Sequence, residues 1–269
     1  MLASNGNIRL HAESTGTGTA VLLVMGLGLP AAAWWRTVPI LARSLQVIAF
    51  DNRGAGRSDR PPGPYALADM AADAVAVLDA AAIDRAHVYG VSMGGMIAQE
   101  VALRYPDRLR ALVLGATSPG GSAATAPDAD TIGFLQRRPS MPDEEGRWAS
   151  VPYVYSSRTR REAGHRIGED LTRRQQFPFH ADGYRAQIAA AMGHDALARL
   201  ERITAPTLVV HGLEDRMVPP DNARALAAAI PGAELRLLEN AAHLYTTDEP
   251  SADDHVLQFL AAHEDGRGP

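Results

Sequence analysis

The chain has 269 residues, of which 46% are hydrophobic and 21% charged, and its formal net charge at pH 7 is −5. This acidic balance argues against a nucleic-acid partner. Without a run of about 18 apolar residues or an apolar N-terminal signal core, we expect no membrane span and a cytoplasmic location. The absence of cysteine excludes disulfides, thiol catalysis and cysteine-ligated metal sites.

Strand-like and helix-like segments alternate along much of the chain. Short apolar runs predict strands at residues 20–24, 47–50, 87–91, 109–115, 207–212 and 234–238. Amphipathic runs predict helices at residues 32–42, 67–82, 95–104, 221–229 and 252–262. This order predicts an α/β fold with a mostly parallel central sheet and helices on both of its faces. Residues 8–13 are expected to add an antiparallel hairpin at the edge.

The alternation stops between residues 118 and 205. This stretch opens with a loop sequence, lacks valine-rich strand runs and reads as mainly helical with breaks at prolines. An insertion after the sixth strand would lie above the C-terminal edge of the sheet, where ligands bind. We therefore predict a core domain of residues 1–117 and 206–269 and a helical cap of residues 118–205; the alternative is a second independent domain. Residues 264–269 are expected to form a disordered tail.

A candidate nucleophile lies between the strand at residues 87–91 and the helix after it. The sequence at residues 90–94 reads Gly-Val-Ser-Met-Gly and matches the G-x-S-x-G nucleophile elbow, with Ser92 at the apex of the turn. Small residues on both sides allow a strained backbone that presents the hydroxyl at the sheet edge. The alternative is an ordinary strand–turn–helix, so the elbow needs support from a base and an acid.

The acid and base of a serine triad would follow Ser92 in that order along the chain. The loop after the strand at residues 207–212 offers Asp215 and Glu214, although an aspartate there could also cap a turn. His243 follows the last strand directly and is the candidate base. We expect His211, inside the end of a strand, to have a packing or hydrogen-bonding role.

Two backbone amides are candidates for the oxyanion hole. One is the N–H of Met93, the residue after the nucleophile, and the other is the N–H of Leu27, in the Met-Gly-Leu-Gly loop at residues 25–28. The alternative for this second segment is a plain glycine-rich turn.

Together these motifs resemble the α/β-hydrolase superfamily, in the branch with a helical cap after strand six. The resemblance covers residues 8–260 and includes the segments at 50–58, 105–109 and 206–212. Residues 25–28 and 92–96 are similar to the branch of 3-oxoadipate enol-lactonase-like and polyketide methylesterase-like enzymes. Many members have His where Met25 stands and Gly where Ala242 stands, but neither difference removes a reacting group. The resemblance favours Asp215 over Glu214 as the triad acid.

The resemblance implies a hydrolase that cleaves a small-molecule ester or lactone through an acyl-enzyme on Ser92. Serine, imidazole and backbone amides supply the nucleophile, base and electrophile, so neither a metal nor an organic cofactor is expected. The same triad also supports C–C bond hydrolysis, perhydrolysis and lyase chemistry. The alternative outside the enzymes is a small-molecule receptor or sensor with this fold. A damaged triad or oxyanion loop would indicate such a receptor.

The cap and its neighbourhood supply candidate substrate contacts. Aromatic side chains that could line an apolar pocket, or belong to the core, are Trp34, Trp35, Trp148, Phe134, Tyr153 and Tyr155. Arginines that could pair with a substrate carboxylate, or face solvent on a helix, are Arg158, Arg160, Arg161, Arg166, Arg173 and Arg174. The oligomeric state is not predicted.

Overall fold

The computed structural model of the chain describes residues 1–122 and 124–264. Its strands are β1 (Leu2–Asn5), β2 (Ile8–Thr15), β3 (Thr19–Val24), β4 (Leu45–Phe50), β5 (Ala86–Val91), β6 (Leu109–Gly115), β7 (Thr207–Gly212) and β8 (Glu234–Leu238). They form one eight-stranded sheet in the order β1-β2-β4-β3-β5-β6-β7-β8. β2 pairs antiparallel with β1 and β4, and the other strand pairs are parallel. The α/β fold class and the edge hairpin are thus confirmed.

Helices cover both faces of this sheet. Those outside the segment between β6 and β7 are α1 (Thr37–Leu41), α2 (Leu67–Ala80), α3 (Met93–Arg104), α10 (Asp221–Ala229), α11 (Tyr245–Asp248) and α12 (Ala252–Ala262). Helices α2, α3 and α10 share a buried cluster with Leu22 and Val24 of β3. The intervening residues Val21 and Leu23 point to the other face and pack with α1 and α12. The central strands are therefore buried on both sides, as predicted, whereas the edge strand β8 exposes Glu234, Leu235 and Arg236.

The helix predicted at residues 32–42 is divided in the structure. A short 3-10 helix covers Ala31–Trp34, and α1 begins only at Thr37. Pro39 lies in the first turn of α1, and its ring nitrogen has no hydrogen to give to the carbonyl of Trp35. A continuous helix would leave that carbonyl without its partner, so the chain breaks before α1.

Short helices fill the segment between β6 and β7, which we call the cap segment (residues 118–205). They are α4 (Ala129–Arg137), α5 (Asp143–Ala149), α6 (Val151–Val154), α7 (Ser157–Glu162), α8 (Gly164–Arg174) and α9 (Ala181–Met192). Prolines lie in several of the breaks between them, such as Pro142, which directly precedes α5. β6 and β7 are parallel neighbours, so the cap segment leaves the C-terminal edge of the sheet after β6 and returns to the opposite edge before β7.

The sequence predicts a disordered C-terminal tail and no membrane span. Of the predicted tail, residues 265–269 lie outside the described residues. None of the helices in the described part of the chain is both long and apolar enough to cross a membrane.

His87 in β5 gives the fold a predictable response to acid. Its ring is fully buried, and neither nitrogen has a hydrogen-bond partner among the described residues. Burial, with the nearby Arg110 and His263, lowers the pKa of His87 to about 4. The folded chain therefore keeps this imidazole neutral at pH values where the unfolded chain, with a histidine pKa of about 6.5, has already bound a proton.

The contribution of His87 to stability is complete above about pH 6.5 and is lost as the pH falls towards about 4. Between about pH 7.5 and 5 we expect this single group to lower the free energy of unfolding by about 2 kcal/mol. Urea denaturation of wild type and His87→Leu at the two pH values measures the difference. Equal pH dependence in the two proteins would contradict the neutral, buried state of His87.

Candidate active site

Ser92 stands at the sharp turn between β5 and α3. Its backbone has φ 59° and ψ −125°, a conformation that L-residues rarely adopt and that marks stored strain at functional sites. A Cβ atom on Gly94 would lie 2.0 Å from the carbonyl oxygen of Val24, and one on Gly90 would lie 2.2 Å from that of Gly94. The two glycines thus allow the close packing that holds Ser92 at the end of the sheet.

His243 and Asp215 form a hydrogen-bonded pair at the same edge of the sheet. Asp215 follows β7, His243 follows β8, and the distance from His243 Nδ1 to Asp215 Oδ2 is 2.8 Å. The other carboxylate oxygen, Oδ1, accepts the backbone N–H groups of Met217 and Val218, each at 2.9 Å. Ser92 and His243 both line one large cavity, so the structure brings the three predicted triad residues to one place.

The environment of Asp215 keeps its side chain ionised. Burial alone would raise the pKa of this carboxyl group, but the neighbouring His243 and His211 outweigh that effect and lower it to about 2. A carboxylate can only accept hydrogen bonds, so the proton between the two residues belongs to His243 Nδ1. This leaves Nε2 of a neutral His243 free to accept a proton from the side of the cavity.

A second imidazole contacts the same carboxylate. His211 is fully buried at the end of β7, and its Nε2 lies 3.1 Å from Asp215 Oδ2 and 2.8 Å from the carbonyl oxygen of Val218. Both neighbours are acceptors, so His211 carries its proton on Nε2 and donates it to them. The sequence suggested a packing or hydrogen-bonding role for His211, and its contact with Asp215 specifies the latter.

Glu214, the competing acid, is engaged elsewhere. Its carboxylate accepts the backbone N–H of Ser157 at 2.7 Å and the hydroxyl of Ser157 at 3.1 Å. Ser157 is the first residue of α7, so Glu214 satisfies a free N–H at a helix start in the cap segment. This geometry supports Asp215 as the partner of His243.

The Met-Gly-Leu-Gly loop lies directly beside Ser92. A Cβ atom on Gly26 would be 3.0 Å from Ser92 Cβ and 3.5 Å from its hydroxyl oxygen. Both Leu27 and Met93 line the cavity, and within the described residues neither backbone N–H donates to a protein acceptor. Two unused amides beside a serine hydroxyl are the arrangement that an oxyanion hole requires.

Two amide side chains hold this loop in place. Gly28 donates its N–H to Gln187 Oε1 at 2.8 Å, and Gln187 donates in turn to the carbonyl of Arg53 at 2.7 Å. Asn52, which is buried after β4, donates to the carbonyl of Met25 at 2.8 Å. Asn52 belongs to a motif that the sequence singled out, whereas Gln187 lies in α9 without any motif. No local pattern could have identified Gln187, because its contact with Gly28 spans 159 residues.

We expect Gln187→Leu to lower kcat by up to about 10²-fold, the effect of small displacements of catalytic groups. Leucine keeps a similar volume but leaves the Gly28 N–H and the Arg53 carbonyl without their buried partner. Steady-state kinetics would measure this loss, and Gln175→Leu, an exposed change in the cap segment, is the control. A variant with wild-type kcat would show that Gln187 does not position the loop.

The cavity beside Ser92 has a volume of about 490 Å³, and its wall is mostly apolar. It extends from the catalytic residues to α4 and α9 of the cap segment. Aromatic and aliphatic side chains that line it include Leu27, Met96, Ile132, Phe134, Val154, Phe179, Tyr184, Ile188 and Met217. A volume of this size accommodates a small organic molecule.

Of the aromatic residues predicted to line the pocket, Phe134 does so, and the others lie elsewhere. Trp34 is buried against Tyr89, with ring centroids 4.9 Å apart, and borders a much smaller hollow behind His243. Trp148 is 58% exposed. Tyr153 donates a hydrogen bond to Asp130, and Tyr155 is buried and donates one to Asp170. None of these four predicted residues is among the described residues that line the large cavity.

The predicted cap arginines also have different locations. Arg174 lines the large cavity, whereas Arg158 is exposed and pairs with Glu162. Arg173 is exposed and lies over the ring of Trp35, a residue of the core domain just before α1. The cavity instead contains a second arginine, Arg138, which the sequence did not single out.

Comparison with known proteins gives this geometry a context. A family model described as the alpha/beta hydrolase fold matches residues 19–250. A protein of Variovorax paradoxus that carries the name carbamate hydrolase RutD is 35% identical over 94% of this chain and 96% of its own. The 3-oxoadipate enol-lactonase 2 of Acinetobacter baylyi is 27% identical, covering 90% of this chain and 88% of its own. The crystal structure of a hydrolase from Pseudomonas aeruginosa aligns with a TM-score of 0.84 and 30% identity, over 96% of this chain and 97% of that one.

Proposed function

Since the chain belongs to the α/β-hydrolase family, we propose that it is a serine hydrolase that cleaves a small-molecule ester or lactone. The observation that carries this proposal is the 2.8 Å hydrogen bond between Asp215 and His243, beside the strained elbow at Ser92. A hydroxyl is a poor nucleophile at neutral pH and needs an adjacent base, and the base needs an acid that fixes its tautomer.

The proposed reaction begins with the transfer of the Ser92 proton to His243 Nε2 as the hydroxyl oxygen attacks the substrate carbonyl. The carbonyl oxygen becomes an oxyanion and accepts hydrogen bonds from the backbone N–H groups of Leu27 and Met93. Asp215 stabilises the imidazolium that forms, and the imidazolium then protonates the leaving alcohol. A water molecule, activated by the same imidazole, releases the acid and restores Ser92.

Ester or lactone cleavage needs no catalytic group beyond the residues and amides named above. The similarity to an enol-lactonase supports an acyl carbon joined to oxygen as the point of attack. Carbamate cleavage is the second candidate, and the similarity to the Variovorax protein favours it. The alternative of a non-catalytic receptor has less support, because the hydrogen-bonded Asp215 and His243 and the unused amides near Ser92 favour catalysis.

We expect the purified protein to release nitrophenol from nitrophenyl esters of apolar acyl groups, with an initial burst that approaches one equivalent. Nitrophenyl carbamates and simple lactones, tested in parallel, would rank the three bond types by kcat/KM. The burst indicates an acyl-enzyme, which a receptor does not form. A folded protein that releases no product from any of the three classes would contradict the proposed function.

A further inference from the structure

Arg138 is a buried cation in the wall of the cavity. It follows α4, its side chain is only 6% exposed, and it lines the same cavity as Ser92. Its guanidinium carbon lies 3.8 Å from the ring centroid of Phe179, and its opposite side packs against the backbone of Gly146. The group is therefore fixed between two surfaces.

The hydrogen bonds of this guanidinium are incomplete. Nη2 donates to Asp143 Oδ1 at 3.1 Å, whereas Nη1 is buried and has no partner among the described residues. A guanidinium is always charged and has five N–H donors. Leaving such a donor buried without an acceptor costs free energy, so a substrate oxygen brought within hydrogen-bond distance of Nη1 would be stabilised there.

The charge around the cavity is also unbalanced. Arg174 is a second guanidinium in the wall, and none of the described residues that line the cavity is Asp or Glu. Asp143 lies outside the lining and is shared between Arg138 and Arg147. Asp143 is one carboxylate shared by Arg138 and Arg147, so these three residues together keep one positive charge next to an apolar space.

We propose that Arg138 binds a carboxylate of the substrate, so that the preferred substrates are esters or lactones with an apolar body and a free acid group. The proposal rests on the proposed function and names its substrate class. The unpartnered Nη1 and the one unbalanced positive charge fit a ligand group with a single negative charge and two coplanar oxygens, which is a carboxylate. Because Phe179, Gly146 and Asp143 already orient the guanidinium, binding does not have to order this side chain.

The test compares two substrate series that differ only in the terminal group. One series consists of mono-nitrophenyl esters of straight-chain dicarboxylic acids, and the other of the same esters with the free acid replaced by a carboxamide. We expect wild type to prefer the acid by about 10- to 100-fold in kcat/KM at the chain length that fits, the range for a hydrogen bond to a charged group.

Arg138→Gln should abolish this preference, because kcat/KM should fall about 10- to 100-fold more for the acid series than for the carboxamide series. Arg137→Gln removes the same charge from the neighbouring position, which is exposed and outside the cavity lining, and should keep the preference. An equal loss in both series for Arg138→Gln would mean that Arg138 only supports the cap segment, and would overturn the proposal.

Wild type alone can still overturn the carboxylate proposal if Arg138→Gln does not fold. Equal rates for acids and carboxamides at every chain length would overturn the carboxylate proposal, while the cleavage itself would still support the proposed function. If neither series is cleaved, the proposed function fails. Calorimetric binding of the free dicarboxylic acids against their matched diamides then tests the carboxylate preference: tighter binding of the acids supports the proposal, and equal binding overturns it.

Discussion

Replacement of Ser92 by alanine is expected to lower kcat by about 10⁶-fold, as measured for other serine-triad nucleophiles. Alanine removes the oxygen that would form the acyl-enzyme but keeps the Cβ and thus the same backbone demands. The elbow is held by backbone contacts, among them the bond from the Ser92 N–H to the carbonyl of Gly115 at 2.9 Å. We therefore expect the thermal midpoint of the variant to stay close to that of wild type.

Ser118 provides a matched control for this prediction. It lines the same cavity, but its hydroxyl contacts Asn222 at 3.2 Å and accepts the Gly120 N–H at 3.0 Å. Nitrophenyl ester hydrolysis by Ser118→Ala should stay within about tenfold of wild type, the loss that one hydrogen bond explains. If Ser92→Ala retained comparable activity, the nucleophile would have to be sought elsewhere.

Asp215→Asn is expected to lower kcat by about 10⁴-fold, the effect of the same change in the serine-protease triad. Asparagine keeps the shape of the side chain, but its amide can donate to His243 Nδ1 and so favours the wrong tautomer. It also removes the charge that stabilises the imidazolium.

Glu214→Gln tests the competing acid in the adjacent position. Because Glu214 contacts Ser157 at the start of α7, this variant should lose little in kcat and more in the stability of the cap segment. Steady-state kinetics of both variants, with thermal unfolding beside them, separate the two roles. An inactive Glu214→Gln with an active Asp215→Asn would assign the acid to Glu214.

The core of the fold was predictable because its signals are local. The strands β6, β7 and β8 have the predicted bounds, since each is a short run of residues that favour strands between loop residues. The same local signals indicated Ser92, Asp215 and His243, because each follows a strand at one edge of the sheet. In a parallel sheet, the residues that directly follow each strand lie at the same edge, so their position in the sequence predicts their position in the fold.

The cap segment was less predictable because its contacts are long-range. Its helices are short, and the sequence does not say which of their faces meets the core. Tyr155 turns away from the cavity because Asp170 and the core bury it, whereas Phe179 and Tyr184 occupy the wall instead. The sequence did not predict a role for Arg138, because it lies in a proline-containing break after α4, where an arginine usually faces solvent.

The loops of the triad and the cap segment share anchors. Asp248 accepts the N–H of Ala242, beside His243, at 2.8 Å and the N–H of Ser156, before α7, at 3.0 Å. Glu214, next to Asp215, binds the following residue, Ser157. The cap segment is thereby tied to the loops that would carry the acid and the base, so changes at its α7 end can reach the chemistry as well as the substrate.

The central claim is that Ser92 is the nucleophile, and a fluorophosphonate reagent tests it most directly. Mass spectrometry of the intact protein, followed by peptide mapping, gives both the number of adducts and their position. We predict one equivalent of phosphonate on Ser92 in wild type and in Ser118→Ala, and none on Ser92→Ala. An adduct on another residue, or a folded wild type that takes up no reagent, would contradict the account.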